Sequence, residues 1–429
     1  MPPEENSNIK ESPAAGGSLL QGYLVLAYIF LLGAVLLGIF TAWAKWEPPF
    51  SHLHAYIFFT GFGSLSVLVL QAVIIHPLVH SKPLTPGIIR IIMTGISLSV
   101  LLVIIGVLTG QGWLKFAAGI VQAATVQFQG WMIWRGTPLK RVWKEIALRF
   151  YAADITFLFI AALGLVALGM EETWPGSMKF LSFLNIRFDN PATYFLGSSF
   201  PLSLTMFGFL YEHAKHFKLL SRLEEVLYNL WFFVFVGGVM IFYHFILAFN
   251  REGMFVSASV LTVGVIIIFT RFAVKVLSEP ERGAYPSFLF LRSSFFMLIF
   301  AGLAGLLMIL KLNGLGDYPS EWKWAWQVHP HFALLGWINL GFLGLIYSLS
   351  PKFAGRMQEK RQVGTALALQ KFSAEARRLV VIQHAILFIG VFVISLGFFL
   401  QIYSLIIGGG LLYLLGALPI LIIHKKGLK

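Results

Sequence analysis

Apolar runs of about twenty residues follow one another along nearly the whole chain, separated by short stretches carrying Pro, Gly and charge. A helix needs roughly 20 residues to cross a hydrocarbon layer about 30 Å thick, so each run has the length of one membrane crossing. Reading the runs between their breaks predicts about twelve helices, at 19–44, 52–76, 88–109, 113–134, 147–170, 192–218, 226–249, 253–277, 286–311, 326–350, 378–401 and 403–424. The expected fold class is therefore an all-α polytopic membrane protein. Residues 1–18 are polar and acidic with Pro and Gly and lack the basic start of a signal peptide, so they are expected to form a disordered cytoplasmic tail. Residues 19–429 are expected to form a single twelve-helix domain.

Charge then orients the bundle. Basic residues gather in alternate connections: Arg135, Lys140, Arg141 and Lys144; Lys215, Lys218 and Arg222; Arg271, Lys275 and Arg282; and Lys352 through Arg378. An even helix count puts all of these on the side of the termini, and the excess of Lys and Arg marks that side as cytoplasmic. The opposite connections, including the one around Glu171, Glu172 and Asp189, lack that excess. Two connections are longer. The outer one, from Glu171 to Pro191, carries Trp174, Pro175 and Phe180 and is expected to fold over the extracytoplasmic end. The inner one, from Pro351 to Arg378, is expected to hold an interfacial helix starting at Ser373.

Composition narrows the chemistry. With 58% hydrophobic and 12% charged residues and a mean hydropathy of +0.79, the chain has too little polar surface for a soluble protein of 429 residues. The net charge of +13 is spread over loops rather than collected in one stripe, which speaks for topology and against nucleic acid. Cysteine is absent, which excludes disulfides, iron–sulfur clusters, thiolate-ligated haem and covalent haem attachment. A metal must use His, Met, Tyr or carboxylate.

Eleven histidines are present, and their depth sorts them. His52 and His54 lie in the first outer turn of the second helix, His329 and His331 at the same level of the tenth, and His244 near the outer end of the seventh. His76, His80, His213, His216, His384 and His424 fall towards inner helix ends, where imidazole is an ordinary interfacial group. The two H-x-H pairs, Ser51-His-Leu-His-Ala and Val328-His-Pro-His-Phe, each follow a tryptophan, Trp46 and Trp326. Residues i and i+2 of a helix point about 200° apart, so one pair can serve two centres on opposite flanks. Two neutral imidazoles from separate helices suit haem iron used in electron transfer. Gly61, Gly63 and Ser64, with Gly336, Gly341 and Gly344, offer either room for a macrocycle or close helix packing. Arg187, Arg251 and Lys323 are candidates for pairing with haem propionates. Asp154, Glu212, Lys275 and Arg292 are expected to be interfacial or snorkelling groups, without a ladder of ionisable residues towards the outer layer.

The string from Val328-His-Pro-His-Phe through Gly336-Trp-Ile-Asn to Tyr347-Ser-Leu-Ser-Pro-Lys resembles the tenth helix of the haem-copper oxidase catalytic subunit, C-type oxidases and nitric oxide reductases above all. Leu53-His-Ala-Tyr-Ile-Phe-Phe-Thr-Gly is similar to that family's second helix. The resemblance implies that His54 and His331 clamp one haem b and that His329 is the proximal ligand of a second. It also implies a partner cytochrome or quinol as electron donor, and a cytoplasmic membrane with the haem layer towards the extracytoplasmic side. The family's three-histidine copper or non-haem iron site has no counterpart here. Gly197-Ser-Ser-Phe and Gly237-Gly-Val-Met stand where those ligands belong, and only His244 remains in the layer. His244 is accordingly expected to face His329 as a second axial ligand, to border an open distal site or to hydrogen-bond a propionate. Three further readings stay open: an active oxygen or nitric oxide reductase whose second metal uses His244, a relative of the NnrS membrane haem proteins, and a transporter or assembly factor with interfacial histidines. Pro201 marks the one strong candidate for a broken helix expected of a transporter.

Overall fold

The protein is represented by a computed structural model that describes residues 13–45, 50–75, 78–79, 84–184, 188, 191–216, 218–278, 286–312, 325–353 and 374–419. Outside these fall residues 1–12 of the expected tail, Trp46, His76, His80, Arg187, Lys323, most of the 351–378 connection and His424. Every regular element among the described residues is helical. The chain is an all-helical polytopic membrane protein, and nine of its described helices have the length and hydropathy of a crossing.

The elements run α1 (Pro13–Ala44), α2 (Phe50–Ile75), α3 (Pro86–Thr109), α4 (Gly112–Trp134), the short α5 (Leu139–Lys144), α6 (Ile146–Thr173), α7 (Ala192–Ser199), α8 (Pro201–His216), α9 (Arg222–Leu247), α10 (251–277), α11 (Pro286–Leu312), α12 (325–353), α13 (Ala374–Leu400) and α14 (Tyr403–Ala417). Helix α1 begins six residues ahead of its expected start at 19. The expected interfacial start at Ser373 lies outside the described residues, and α13 begins at Ala374. The expected crossing at 192–218 is two helices that meet at Phe200, where Pro201 has no N–H to continue the ladder.

Local chemistry sets the turns. Thr85 accepts from the Ile88 N–H and Pro86 fills the first position of α3, while Gly110 ends it with φ 67°, a conformation open to glycine. Ser221 and Glu224 form a reciprocal capping box on α9. Asn250 caps α10. The short connections between α3 and α4, α9 and α10, and α13 and α14 make each pair antiparallel neighbours in contact. Helix α1 packs on both α2 and α14, so the first helix meets the last.

Two helices stand apart. In the most apolar 18-residue window of each span, 100% of residues are buried in α2 and 89% in α12, against 28–56% in the other seven. The two helices that carry H-x-H are thus the most enclosed of the nine, and α8 is buried to a like extent. They touch through Phe62 and Phe342, whose ring centroids are 5.4 Å apart, and Tyr28 of α1 packs on both. Each also departs from α geometry just after its histidines, with π-helical turns at Phe58–Gly63 and Phe332–Leu340. Such turns add a residue and turn the later side chains to new directions.

Candidate functional site

One end of the bundle gathers the histidines. The His52 ring meets Phe195 at the start of α7, and Tyr243 near the end of α9 donates to the Thr193 carbonyl. Lys115 at the start of α4 pairs with Glu172 at the end of α6 and lies over the Tyr56 ring of α2. His331 at the start of α12 packs on Phe398 at the end of α13, with centroids 4.5 Å apart. These contacts place the starts of α2, α4, α7 and α12 and the ends of α6, α9 and α13 in one layer.

Within each H-x-H pair the rings turn to opposite flanks. His52 faces α7, whereas His54 lies against α1, where a Cβ on Gly38 would stand 3.9 Å from its ring. His329 turns to α11 and His331 to α13. His54 and His331 lie within electrostatic range of one another. Helix direction and the i, i+2 spacing thus put one ring of each pair within range of the other, both half-buried at this end of the bundle.

Tautomers follow from the hydrogen bonds. His329 Nδ1 is 2.8 Å from the Ala301 carbonyl oxygen, and His331 Nδ1 is 2.6 Å from that of Gln327. A carbonyl only accepts, so Nδ1 is the protonated nitrogen in both rings and Nε2 keeps its lone pair. That arrangement, one nitrogen donating to a carbonyl and the other presented as a base, is the usual state of a metal-ligating histidine. His54 Nδ1 is buried without a well-formed hydrogen bond, and the Ser51 carbonyl is the backbone acceptor near its ring. The donor set of these three rings fits haem iron.

Sequence reading missed the seat of His329. Gly305 on α11 faces that ring, and a Cβ there would fall 2.8 Å from Nδ1. Ala301 and Gly305 are one helical turn apart, a spacing legible in sequence but without meaning until α11 is known to lie beside α12. The glycines that were singled out serve packing instead. A Cβ on Gly61 would strike Phe30 at 2.6 Å, on Gly336 Met297 at 2.6 Å and on Gly344 Leu291 at 2.7 Å, while Gly341 is filled by Met206. Neighbouring side chains pack into the notch that each of these glycines leaves.

His244 is exposed on α9 and rests on Phe245, with centroids 5.7 Å apart. It is Tyr243, its predecessor, that turns into the bundle. Arg251 is the exposed first residue of α10. Among the described residues no three His, Asp or Glu side chains converge as a metal site. Of the other histidines, His213 is buried beside Phe288, and His384 Nε2 bonds the Ser293 hydroxyl at 2.6 Å.

Asp154 departs from expectation. It is fully buried rather than interfacial, because α2 and α8 close over it and supply its partners: Thr205 Oγ1 at 2.5 Å, and Gln71, whose amide also donates to the Tyr151 carbonyl at 2.8 Å. Trp134 donates to Gln71 in turn, and Tyr151 donates to Glu212 at 3.0 Å. Further along the same seam, Gln129 is bonded to Tyr23 and the Leu68 carbonyl, and Gln122 to Ser64 and Tyr194. Buried polar groups therefore line the contact of α2 with α4, α6 and α8, neutral amides and hydroxyls for the most part. Lys275 pairs with Glu224 at 2.6 Å on the exposed side, and Arg292 donates to the Leu277 carbonyl.

No family model matches this sequence, and none of the curated proteins does. Among solved structures the chain is similar to a haem-copper terminal oxidase determined as a dimer by cryo-electron microscopy, with a TM-score of 0.62 and 11% identity over 96% of this chain and 83% of that one. At that identity the likeness is one of fold: this chain is folded like a haem-copper terminal oxidase over nearly its whole length.

Proposed function

We propose that the chain is a haem b-binding membrane protein of the haem-copper oxidase subunit I type, acting in respiratory electron transfer or in O2 or NO chemistry. The observation that carries this reading is the seating of the three rings. His54, His329 and His331 sit half-buried in the turns that lead into the enclosed stretches of α2 and α12, His54 and His331 lie within electrostatic range of one another, and the Nδ1 bonds of His329 and His331 leave Nε2 free to ligate. The fold likeness supports it independently. In this reading His54 and His331 hold one haem between α2 and α12, and His329, on the opposite flank, is the ligand for a second. Bound haem would supply one-electron and diatomic-gas chemistry; the chain would supply the ligands, the Nδ1 bonds that set the tautomers of His329 and His331, and the apolar helices that carry them. Arg251 lies at the same end as the histidines, within the class of cations that pair with propionates.

The reading assigns no three-ligand copper or iron site, and His244 enters it only as a residue of the same layer. The basic connections support a cytoplasmic side at the opposite end of the bundle, and the haem layer in this reading lies towards the extracytoplasmic face of the cytoplasmic membrane. A chain of this type takes electrons from a partner cytochrome or a quinol. The test is a reduced-minus-oxidised spectrum with haem and metal quantitation on the purified protein and on His54→Ala, His331→Ala and His329→Ala. Loss of the same haem in the first two, with retention of that haem in the third, is expected. Protein without reducible b-type bands would overturn the reading.

A further inference from the structure

At the end of the bundle opposite the histidines, the connection between α4 and α6 presents a rigid amphipathic step. Helix α5 is anchored from beneath: Val142 is buried, and Arg141 donates to the Leu78 carbonyl at 2.7 Å while pairing with Glu145 at 3.1 Å. What it turns outward is sorted by chemistry. Leu139 and Trp143, one turn apart, are 74% and 59% exposed, and Trp131 at the end of α4 is 55% exposed. Lys140 and Lys144, also one turn apart, are exposed on the adjoining face, and Arg135 lies 4.9 Å from the Trp131 ring. At 100° per residue the two pairs form neighbouring stripes, one apolar and one cationic. Only Arg141 of the four cations in this segment is offset by a carboxylate among the described residues.

We propose that α5 with the end of α4 is a docking site for an anionic glycerophospholipid. Its position decides the occupant. The segment joins the ends of two membrane helices, so Leu139, Trp143 and Trp131 stand at the level where acyl chains begin, and Arg135, Lys140 and Lys144, without a carboxylate partner among the described residues, stand at the level of the phosphates. Charge complementarity then favours a phosphate-bearing lipid of net negative charge over a zwitterionic one. A cation near such a surface contributes roughly a fivefold gain in binding, and Lys140 with Lys144 roughly 25-fold together. Because Arg141 and Val142 fix the helix to the body, the lipid meets a preformed surface and binds without ordering a loop. This site is independent of the histidine layer and of any haem.

The experiment titrates phosphatidylglycerol into the full-length chain held in phosphatidylcholine-doped micelles, read by native mass spectrometry and by the shift in Tm. Wild type is expected to retain phosphatidylglycerol in preference to phosphatidylcholine. The Lys140→Gln/Lys144→Gln variant is expected to lose roughly 25-fold in affinity, whereas Lys140→Arg/Lys144→Arg keeps it. Arg222→Gln, an exposed cation of another connection at the same end, is expected to leave it unchanged. Wild-type binding by the double glutamine variant overturns the proposal. An equal loss in Arg222→Gln does so too, as it would reduce the effect to general attraction. Displacement of the lipid by inorganic phosphate would assign the cations to a soluble anion and likewise overturn it.

Discussion

Lys115 Nζ lies 2.7 Å from Glu172 Oε2, and the same ammonium stands 5.7 Å from the Tyr56 ring centroid, two residues beyond His54. The pair ties the start of α4 to the end of α6 and presses both on the helix that carries His52 and His54. The lysine is buried and the glutamate partly so. Removing one partner leaves a charge without compensation, so Glu172→Gln is expected to cost about 3 kcal/mol, while Lys115→Met/Glu172→Leu restores most of it. Thermal unfolding in detergent measures both, and a single variant as stable as wild type would show the pair to be idle.

Gly305 and His329 provide a second test. The Cβ of Gly305→Ala would fall 2.8 Å from Nδ1 and 3.0 Å from Cε1 of the ring, against a backbone that holds both helices. The ring must rotate and leave the Ala301 carbonyl, with a strain of roughly 1–3 kcal/mol. On the proposed function this variant changes the spectrum of the haem at His329 and spares the one at His54 and His331. Gly302→Ala, whose Cβ meets only Thr262 at 3.8 Å, is the matched control and is expected to behave as wild type.

Asp154 anchors the polar seam. Truncation to Ala takes one of two acceptors from the Gln71 amide, which keeps the Tyr151 carbonyl, and leaves the Thr205 hydroxyl only the Pro201 carbonyl, so about 1 kcal/mol of stability is expected to be lost. Asp154→Asn keeps an acceptor at one oxygen and should lose less. A denaturation series on the two variants separates these cases; equal midpoints in Ala, Asn and wild type would refute a structural role.

Close packing of α4 on α6 gives a fourth. A Cβ on Gly119 would lie 2.6 Å from the Val166 amide nitrogen, which is backbone and cannot swing aside. Gly119→Ala is expected to push the helices apart at a cost of roughly 1–3 kcal/mol, visible as a lower Tm. Gly33→Ala, with nothing within 4 Å, is expected to be neutral or stabilising.

Hydropathy and breaks were enough to place the helices, since crossing length is a property of each segment alone. All twelve expected spans overlap helical residues, including 113–134, 192–218 and 403–424, which fall outside the nine that are long and apolar enough. The opposed flanks of the H-x-H pairs were legible for the same reason: helix pitch fixes them locally. What lay beyond the sequence were properties of neighbours. Whether Gly61 opens space or receives Phe30, and whether Asp154 meets lipid headgroups or Thr205, depends on which helix stands opposite. The π-helical turns were also invisible, because they arise where packing tilts a few backbone bonds and leave no residue signature in Phe58–Gly63 or Phe332–Leu340.

Those turns have a consequence for comparing such bundles. A π turn holds one residue more than the α turn it replaces, so two helices alike in length and path but different in their π turns run one position out of step beyond that point. An alignment that respects side-chain direction must then open a gap in the middle of a membrane span, where gaps are ordinarily forbidden. Helices α2 and α12 each carry such an offset directly after their histidines. Shared ancestry between this chain and others of the same shape would therefore be underestimated by any gap-free matching of its two central helices, and is better sought in the residues that precede the offset.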